Sequence, residues 1–467
     1  ADRMAYYKLN QLQLYIEHTY LFRGMTELWR DDTPLTAAEI MELDRYCLER
    51  GVELVPSLSS FGHLYKLLST REYAHLCELE EPFSVRGRMA HHTINPADPE
   101  SLVLIKKMIG EFMELFSSRQ FNFCADETFD LGRGKSRALV EEKGKDHVYI
   151  GYIRELARFL IENGRRPMFW GDIIWGFPEM IKEMPEETIC LNWGYLWNQR
   201  EDETRWMYEA GAVQYCCPGC CSWNELVPLN WNAYNNIMRM CNYARKYNAI
   251  GVLNTDWGDY LHVCHPDFTA VGMIYGAAFS WNGNIPEYEE INRQISRLEY
   301  HDPTERLLEI VAKIPENTAF EWHSVCGYWE MKRGLEEFKE DYTKMIREEL
   351  NLFDDVDEKN ARLQNIEKEL YGQIVRLESD RKGRVLPYAV AVKGIRLLNE
   401  AGKVAVAEDF GCTFTTMPDR WSLAKELETW LYYYKEIYRS VSRESELRRI
   451  EDLVCWYGDF LRGKAKQ

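Results

Sequence analysis

The stretch "TAAEIMELDRYCLERGVELVPSL", residues 36–58, contains a helix and a strand joined by a single glycine. Thr36 and Glu39 have the spacing of a capping box, which marks the start of a helix. Apolar residues then recur at helical spacing at Ile40, Leu43 and Cys47. Gly51 stands where a helix-ending glycine belongs, and residues 53–58 form an apolar run of strand length. The stretch therefore predicts a helix that leads directly into a buried strand.

The same order of helix, glycine and strand returns along the first 290 residues. It is repeated in "FLIENGRRPMFWGD" at 159–172 and in "MYEAGAVQYCCPG" at 207–219. Strands alternating with helices favour a parallel sheet. The predicted strands cover residues 11–16, 53–58, 120–124, 167–170, 189–193, 212–216 and 250–254.

Seven such units predict an α/β fold, a (β/α)₈ TIM barrel that lacks its first strand in this numbering. The opening residues, "RMAYYKLN" at 3–10, have the pattern of a helix end that runs into the strand at 11–16. The first strand and most of the first helix are therefore expected before residue 1. A doubly wound open sheet is the alternative, but it should show a glycine-rich phosphate loop after an early strand, and the sequence has none.

The pattern changes after residue 300, where strand signals become sparse. "HDPTERLLEIVAKI" at 301–314 predicts a helix with Asp302 as N-cap, Pro303 in its first turn and Glu305 in a capping box. A long apolar stripe then follows at Leu363, Ile366, Leu370, Ile374 and Leu377. We expect a barrel domain over 1–300 and an α-helical domain over 301–467, which packs against the barrel or against a second subunit in a homodimer.

Composition excludes some partners. The chain of 467 residues carries a net charge of −18, which disfavours nucleic acid and anionic membranes. No uncharged stretch is long enough to span a bilayer, and the first residues lack the layout of a signal peptide. Thirteen scattered cysteines, an odd number, favour a reducing compartment, so the expected location is cytoplasmic. Fifteen tryptophans exceed ordinary core needs and favour an aromatic binding cleft.

Carboxylates and indoles recur where the predicted strands end, which is the functional edge of a barrel. The segment "FNFCADETFDLG" at 121–132 brings Asp126 and Glu127 to the end of an apolar run. The other residues at these ends are Glu17, His18, His63, Trp170, Asp172, Asn192, Trp193, Tyr195, Trp197, Trp223, Asn224, Asp256, Trp257 and Asp259. Polar groups interleaved with aromatic faces predict a site for a sugar ring.

The order "NQLQLYIEH", "LVPSLSSFGH", "FNFCADETFDLG", "FWGDII" and "TDWGD" resembles the family-20 glycoside hydrolases, the β-N-acetylhexosaminidases. The resemblance covers roughly residues 1–290, and the Asp-Glu segment is its most specific part. It implies an exo-acting, retaining enzyme that releases terminal GlcNAc or GalNAc. In that family the acetamido oxygen of the substrate is the nucleophile and gives an oxazoline intermediate, an exception to the usual carboxylate pair.

The resemblance also implies roles for individual residues. Glu127 is expected to be the acid/base, and Asp126 to orient the acetamido group. His63 is expected beside the acid, and Trp170, Trp193 and Trp257 to line the sugar pocket. Asp259, in place of the family's usual Glu, is expected to bind sugar hydroxyls, which predicts loose selectivity at C4.

This sequence departs from the family's pattern at two places. The family's arginine of the first barrel strand is expected before residue 1. "CPGCCSWNE" at 217–225 stands where the family has Tyr-x-Asp, so Trp223 and Asn224 are the predicted substitutes.

Two other functions stay open from the residues alone. One is a sugar-binding barrel without catalysis. The other is a metal-dependent barrel hydrolase that uses His18, His63 and Asp126, although such sites need His-x-His or similar pairs at strand ends. The adjacent His91 and His92 fall in a predicted loop. The favoured interpretation needs no metal and no cofactor, and its partner is a glycan that ends in N-acetylhexosamine.

Overall fold

The computed structural model describes residues 1–80, 83–85, 88–90, 93–333 and 339–463. Its strands are β1 Gln11–Ile16, β2 Glu53–Leu58, β3 Phe83–Val85, β4 Arg88–Ala90, β5 Gln120–Asn122, β6 Arg166–Trp170, β7 Ile189–Trp193, β8 Val213–Cys217 and β9 Gly251–Val252. The helices of the first 300 residues are α1 Asp2–Tyr7, α2 Thr26–Trp29, α3 Ala37–Leu48, α4 Tyr65–Leu68, α5 Pro99–Met113, α6 Arg137–Lys143, α7 Lys145–Glu162, α8 Asp202–Glu209, α9 Asn230–Lys246, α10 Ala270–Trp281 and α11 Tyr288–Leu298. The later helices are α12 Leu307–Val311, α13 Trp322–Lys332, α14 Lys339–Glu348, α15 Val356–Arg376, α16 Ser379–Phe410, α17 Arg420–Arg439 and α18 Ser445–Leu461.

Seven strands form one parallel sheet in the order β1-β2-β5-β6-β7-β8-β9. Its two outer strands, β1 and β9, line the same cavity of about 850 Å³, so the sheet curls round on itself. The interior is filled by buried side chains from successive strands and from Cys124 just beyond β5; the strand residues are Val55, Met168, Ile189, Leu191 and Cys217. The predicted α/β barrel with seven strands is therefore confirmed, as a curled parallel sheet whose edge strands β1 and β9 are not paired with each other.

All seven predicted strands are present, and their bounds differ by a few residues at some ends. β2 and β7 begin and end as predicted. β5 stops at Asn122, two residues early, because Cys124 has a left-handed backbone that no strand accommodates. The sequence did not predict the antiparallel β3–β4 hairpin.

The helix signals were right at residue 36 and wrong at residue 302. Thr36 and Glu39 form the predicted capping box, and Gly51 has φ +69° where the helix ends. The predicted helix at Asp302 begins instead at Leu307. Glu305 has φ +59°, and the carboxylate of Asp302 accepts hydrogen bonds from the N–H groups of its own turn, so these residues form a capped turn.

Beyond α11 the described residues form helices and turns without a strand. The predicted apolar stripe lies on α15, where Leu363, Ile366 and Leu370 are buried. One continuous buried core joins α9 and α10 of the barrel to these later helices. This region therefore packs on the barrel, and the domain boundary at residue 300 stays a prediction.

Among the described residues, no helix is both long enough and apolar enough to cross a membrane.

Candidate active site

The acidic pair lies on a tightly held segment directly after β5. Cys124, Ala125 and Glu127 have φ values of +59°, +68° and +48°, which few residues other than glycine adopt. The Tyr149 hydroxyl donates to the carbonyl of Ala125 at 3.0 Å, and the backbone N–H of Trp170 donates to the carbonyl of Cys124 at 3.0 Å. Strained backbone of this kind persists only where its surroundings enforce it, and it collects at functional sites.

His63 connects three carboxyl groups at this edge of the barrel. Its Nε2 lies 3.3 Å from Asp126 Oδ2 and 3.2 Å from Glu127 Oε2, and its Nδ1 lies 3.5 Å from Glu17 Oε1. Burial lowers the pKa of the His63 imidazole, but Asp126, Glu127 and Glu17 outweigh burial and hold that pKa well above its usual value. The ring is therefore an imidazolium at neutral pH and partly compensates the charge of the pair.

Asp172 lies behind the pair and holds the backbone of Glu127. Its Oδ2 accepts the Glu127 backbone N–H at 2.9 Å. Its Oδ1 is enclosed and has no hydrogen-bond partner within the described residues. Burial first, and then the charges of Asp126 and Glu127, raise the pKa of Asp172 well above its usual range. This carboxyl therefore resists ionisation and supports the loop without adding a full charge.

Aromatic rings form one wall next to these carboxyl groups. The ring of Trp257 lies 5.6 Å from that of Trp170 and 5.1 Å from that of Tyr15, centroid to centroid. Trp170 is 3% exposed, whereas Trp257 is partly exposed. Trp257 thus has one side packed in the barrel and one side open to a ligand.

Tyr195 extends this wall to the other predicted tryptophans. Its hydroxyl accepts the Trp257 Nε1–H at 2.9 Å. Its ring stacks on Trp193 with centroids 5.0 Å apart and meets the edge of Trp223, also at 5.0 Å. Burial raises the pKa of the Tyr195 hydroxyl well above its usual value, so the group keeps its proton. The four predicted tryptophans therefore belong to one cluster around Tyr195 and Trp257.

Two further predicted residues lie on the loops around this wall. Asn224 has φ +66°, and its side-chain oxygen is enclosed without a partner in the described part of the chain. Asp259 is exposed, and its charge helps to raise the pKa of Glu17, after burial and the offsetting effect of His63. The loop that carries Asp259 is fixed from the helical region, because the Trp322 Nε1–H donates to the carbonyl of Tyr260 at 2.6 Å.

Of the three residues of the metal-hydrolase hypothesis, His63 and Asp126 lie together, but His18 is paired elsewhere. His18 Nε2 lies 3.2 Å from Asp32 Oδ2, in a separate ion pair. His91 and His92 lie outside the described residues. Within the described ranges, one group has metal-binding atoms within 4.8 Å of one another, and it consists of Glu321, His323 and Glu349. His323 Nε2 contacts Glu349 Oε1 at 2.5 Å, so this group is already paired internally.

The sequence contains a pattern that points to Glu17, although Glu17 was not assigned a role in the predicted site. In β1, polar residues alternate with apolar ones, so Gln11, Gln13, Tyr15 and Glu17 share one face. The Tyr15 hydroxyl donates to Glu17 Oε1 at 3.0 Å, at the end of this row. Asp172 and Tyr195 also stand at predicted strand ends, but nothing in the sequence separated them from ordinary loop residues.

Comparison with known proteins gives the same family over more than half of the chain. Residues 1–254 match the glycosyl hydrolase family 20 catalytic domain. Hexosaminidase D of Bos taurus is 23% identical over an alignment of 277 residues, and the match covers 54% of this chain and 77% of that protein. Hexosaminidase D of Homo sapiens is 27% identical over an alignment of 187 residues, and the match covers 39% of this chain and 36% of that protein.

A solved structure shows a similar fold. The beta-N-acetylhexosaminidase from Bacteroides fragilis has a TM-score of 0.50 and 16% identity, and the match covers 65% of this chain and 66% of that one. At this identity the likeness is evidence for the fold alone. The match to the family's catalytic domain over residues 1–254 carries the assignment. This chain belongs to glycosyl hydrolase family 20.

Proposed function

We propose that this chain is an exo-acting, retaining β-N-acetylhexosaminidase that releases terminal GlcNAc or GalNAc by substrate-assisted catalysis. Family membership and the hexosaminidase relatives support the activity. The observation that carries the proposal is the Asp126–Glu127 pair, joined by His63 and placed at the same edge of the barrel as the aromatic wall. Asp126 and Glu127 are neighbours along the chain, so they can act on the same side of the sugar, Glu127 on the glycosidic oxygen and Asp126 on the acetamido group.

In the first step, Glu127 gives its proton to the glycosidic oxygen. The acetamido oxygen of the substrate attacks C1, the bond from C1 to the glycosidic oxygen breaks, and its electrons go to the protonated leaving group. Asp126, only 9% exposed, accepts the acetamido N–H and compensates the positive charge of the oxazolinium ring. The imidazolium of His63 lies between the two carboxyl groups and offsets negative charge at this site.

In the second step, the Glu127 carboxylate takes a proton from a water molecule that attacks C1. The oxazoline ring opens, and the acetamido group is restored. Each step inverts the configuration at C1, so the product retains it. General acid–base help of this kind is worth about 10² to 10⁴ in rate.

The Tyr195 hydroxyl is our candidate for the partner of the acetamido oxygen. Its oxygen accepts a hydrogen bond from Trp257, and burial keeps the hydroxyl protonated, as a donor to the acetamido oxygen must be. Trp170, Trp193 and Trp257 surround it as the walls of the acetamido pocket. This assignment fills the role for which the sequence predicted Trp223 and Asn224.

Finer features of the function are proposals as well. Asp259 is shorter than the usual Glu, so GalNAc should be accepted at least comparably to GlcNAc. A cytoplasmic location and a homodimer stay predictions from the sequence.

The test is Glu127→Gln, measured on two substrates with the same N-acetylhexosamine. Turnover of an alkyl glycoside, a poor leaving group, should fall by about 10² or more, because it needs protonation. An activated aryl glycoside should lose less in the bond-breaking step. Glu141→Gln on the exposed face of α6 is the matched control.

Small and equal losses on both substrates would remove Glu127 from the acid role. A wild-type chain that hydrolyses neither substrate but binds N-acetylhexosamine would instead be a sugar-binding barrel without catalysis.

A further inference from the structure

Two exposed tryptophans form a pair outside the aromatic wall. Trp197 is 44% exposed and Trp231 is 48% exposed, and their ring centroids lie 5.3 Å apart. Leu196, which precedes Trp197 in the chain, is 65% exposed. Large apolar side chains that gather at the surface mark a binding site more often than isolated ones do. We call Leu196, Trp197 and Trp231 the rim platform.

The rim platform lies at the edge of the barrel that carries the acidic pair. Trp197 follows β7, and Trp231 is the second residue of α9, which follows the loop after β8. Both therefore lie at the carboxyl ends of parallel strands. Tyr195, two residues before Trp197, contacts Trp193 and Trp223 of the aromatic wall. The platform therefore shares the edge of the barrel with the wall, and Trp197 lies two residues from Tyr195 along the chain.

The loop that carries Trp197 is held rigidly from α9. The side chain of Asn236, fully buried, donates to the carbonyls of Gly194 and Leu196 at 2.8 Å and 2.9 Å. Its oxygen accepts the backbone N–H of Gly219 at 3.0 Å, which ties in the loop after β8. The Tyr243 hydroxyl donates to the carbonyl of Gln199 at 2.8 Å, at the far end of the loop. A surface ordered in advance loses little entropy when a ligand binds.

We propose that the rim platform is a second sugar subsite, which stacks the sugar on the leaving-group side of the scissile bond. This rests on the proposed function, in which the terminal N-acetylhexosamine fills the pocket and the rest of the glycan emerges over this edge. Two indoles and one leucine match the apolar face of one sugar ring. The patch is far smaller than the roughly 1,000 Å² expected of a stable protein interface. The preferred substrate is therefore an oligosaccharide.

The test measures binding, so that it does not depend on hydrolysis. Two sulfur-linked ligands that resist cleavage are titrated by calorimetry: a disaccharide that ends in β-N-acetylhexosamine, and the S-methyl glycoside of the same terminal sugar. The wild-type chain should bind the disaccharide about tenfold more tightly than the S-methyl glycoside, which is the gain in affinity expected from one stacked ring. Trp197→Ala and Trp231→Ala should each remove most of this advantage and leave the affinity for the S-methyl glycoside unchanged.

Trp421→Ala is the matched control, because Trp421 is 51% exposed on α17 of the helical region. The proposal is overturned if the wild-type chain binds the two ligands equally, or if the advantage survives in both platform variants. It is also overturned if the platform variants change the protein from a dimer to a monomer, since the platform would then be an interface between copies. Failure of hydrolysis with the binding difference intact would reject the proposed function alone.

Discussion

Gly62 is the most sensitive backbone position near the acidic pair. A methyl group placed on Gly62 would lie 2.1 Å from the carbonyl oxygen of Asp126, and 3.4 Å from the carbonyl carbons of Asp126 and Glu127. Real Cβ atoms almost never approach another heavy atom closer than 3.0 Å, so Gly62→Ala must widen this contact by about 0.9 Å. We expect the acidic segment to take up most of that shift. The backbone of Gly62 is not left-handed, so alanine at this position adds no backbone strain.

A displacement of this size at reacting groups costs about 10²-fold in rate. We expect Gly62→Ala to lower kcat on an aryl N-acetylhexosaminide by that factor, with a stability loss of about 1–3 kcal/mol from overpacking. The assay is steady-state kinetics together with thermal unfolding. Gly176→Ala is the control, because Gly176 is exposed in the loop after β6 and has open space around its Cα.

Full activity of Gly62→Ala at an unchanged unfolding temperature would refute this reasoning, since the acidic segment would then not depend on Gly62. An equal loss in Gly176→Ala would show that the assay reports general damage.

Two further predictions concern groups that support the site. Burial and the neighbouring carboxylates raise the pKa of Asp172 in the folded chain. As the pH rises from about 4, the unfolded chain loses this proton before the folded chain does, so the free energy of unfolding falls until the pH reaches the folded pKa. Asp172→Asn keeps an acceptor for Glu127 and should match the wild-type unfolding temperature near pH 4 and exceed it at neutral pH; a constant difference would contradict this. Tyr434→Phe removes the hydroxyl that donates to Val263 at 2.9 Å and should cost about 1–3 kcal/mol for the unpaired carbonyl. It should also raise KM, because Val263 lies in the loop after β9, which carries Trp257 and Asp259. Tyr457→Phe breaks a similar bond within the helical region and should lower stability alone.

Much of the barrel follows from local signals in the sequence. β2 and β7 match their predicted bounds because each is an apolar run with polar residues or glycine at its ends. The end of β5 was less accurate, since the left-handed backbone of Cys124 depends on contacts from other strands. β9 is shorter than predicted at both ends. The helix start at residue 302 failed for a related reason, because the Asp302 carboxylate satisfies its own turn.

The candidate site was predictable only in part. Asp126, Glu127 and the tryptophans stand out because charged and aromatic residues at strand ends are visible in a sequence. The role of Tyr195 was not visible, since its hydroxyl meets Trp257, 62 residues further along the chain. Asp172 was visible at a strand end, but its role was not, because its bond is to a backbone N–H, which every loop offers.

The central claim is that the substrate's acetamido group is the nucleophile. The most direct measurement compares kcat/KM for an aryl N-acetylhexosaminide with its N-trifluoroacetyl analogue. Fluorine withdraws electrons from the amide oxygen, so the account predicts a loss of orders of magnitude with the same leaving group and nearly the same size. Equal rates for the two substrates would contradict it, and Asp126 or another carboxylate would then have to be the nucleophile.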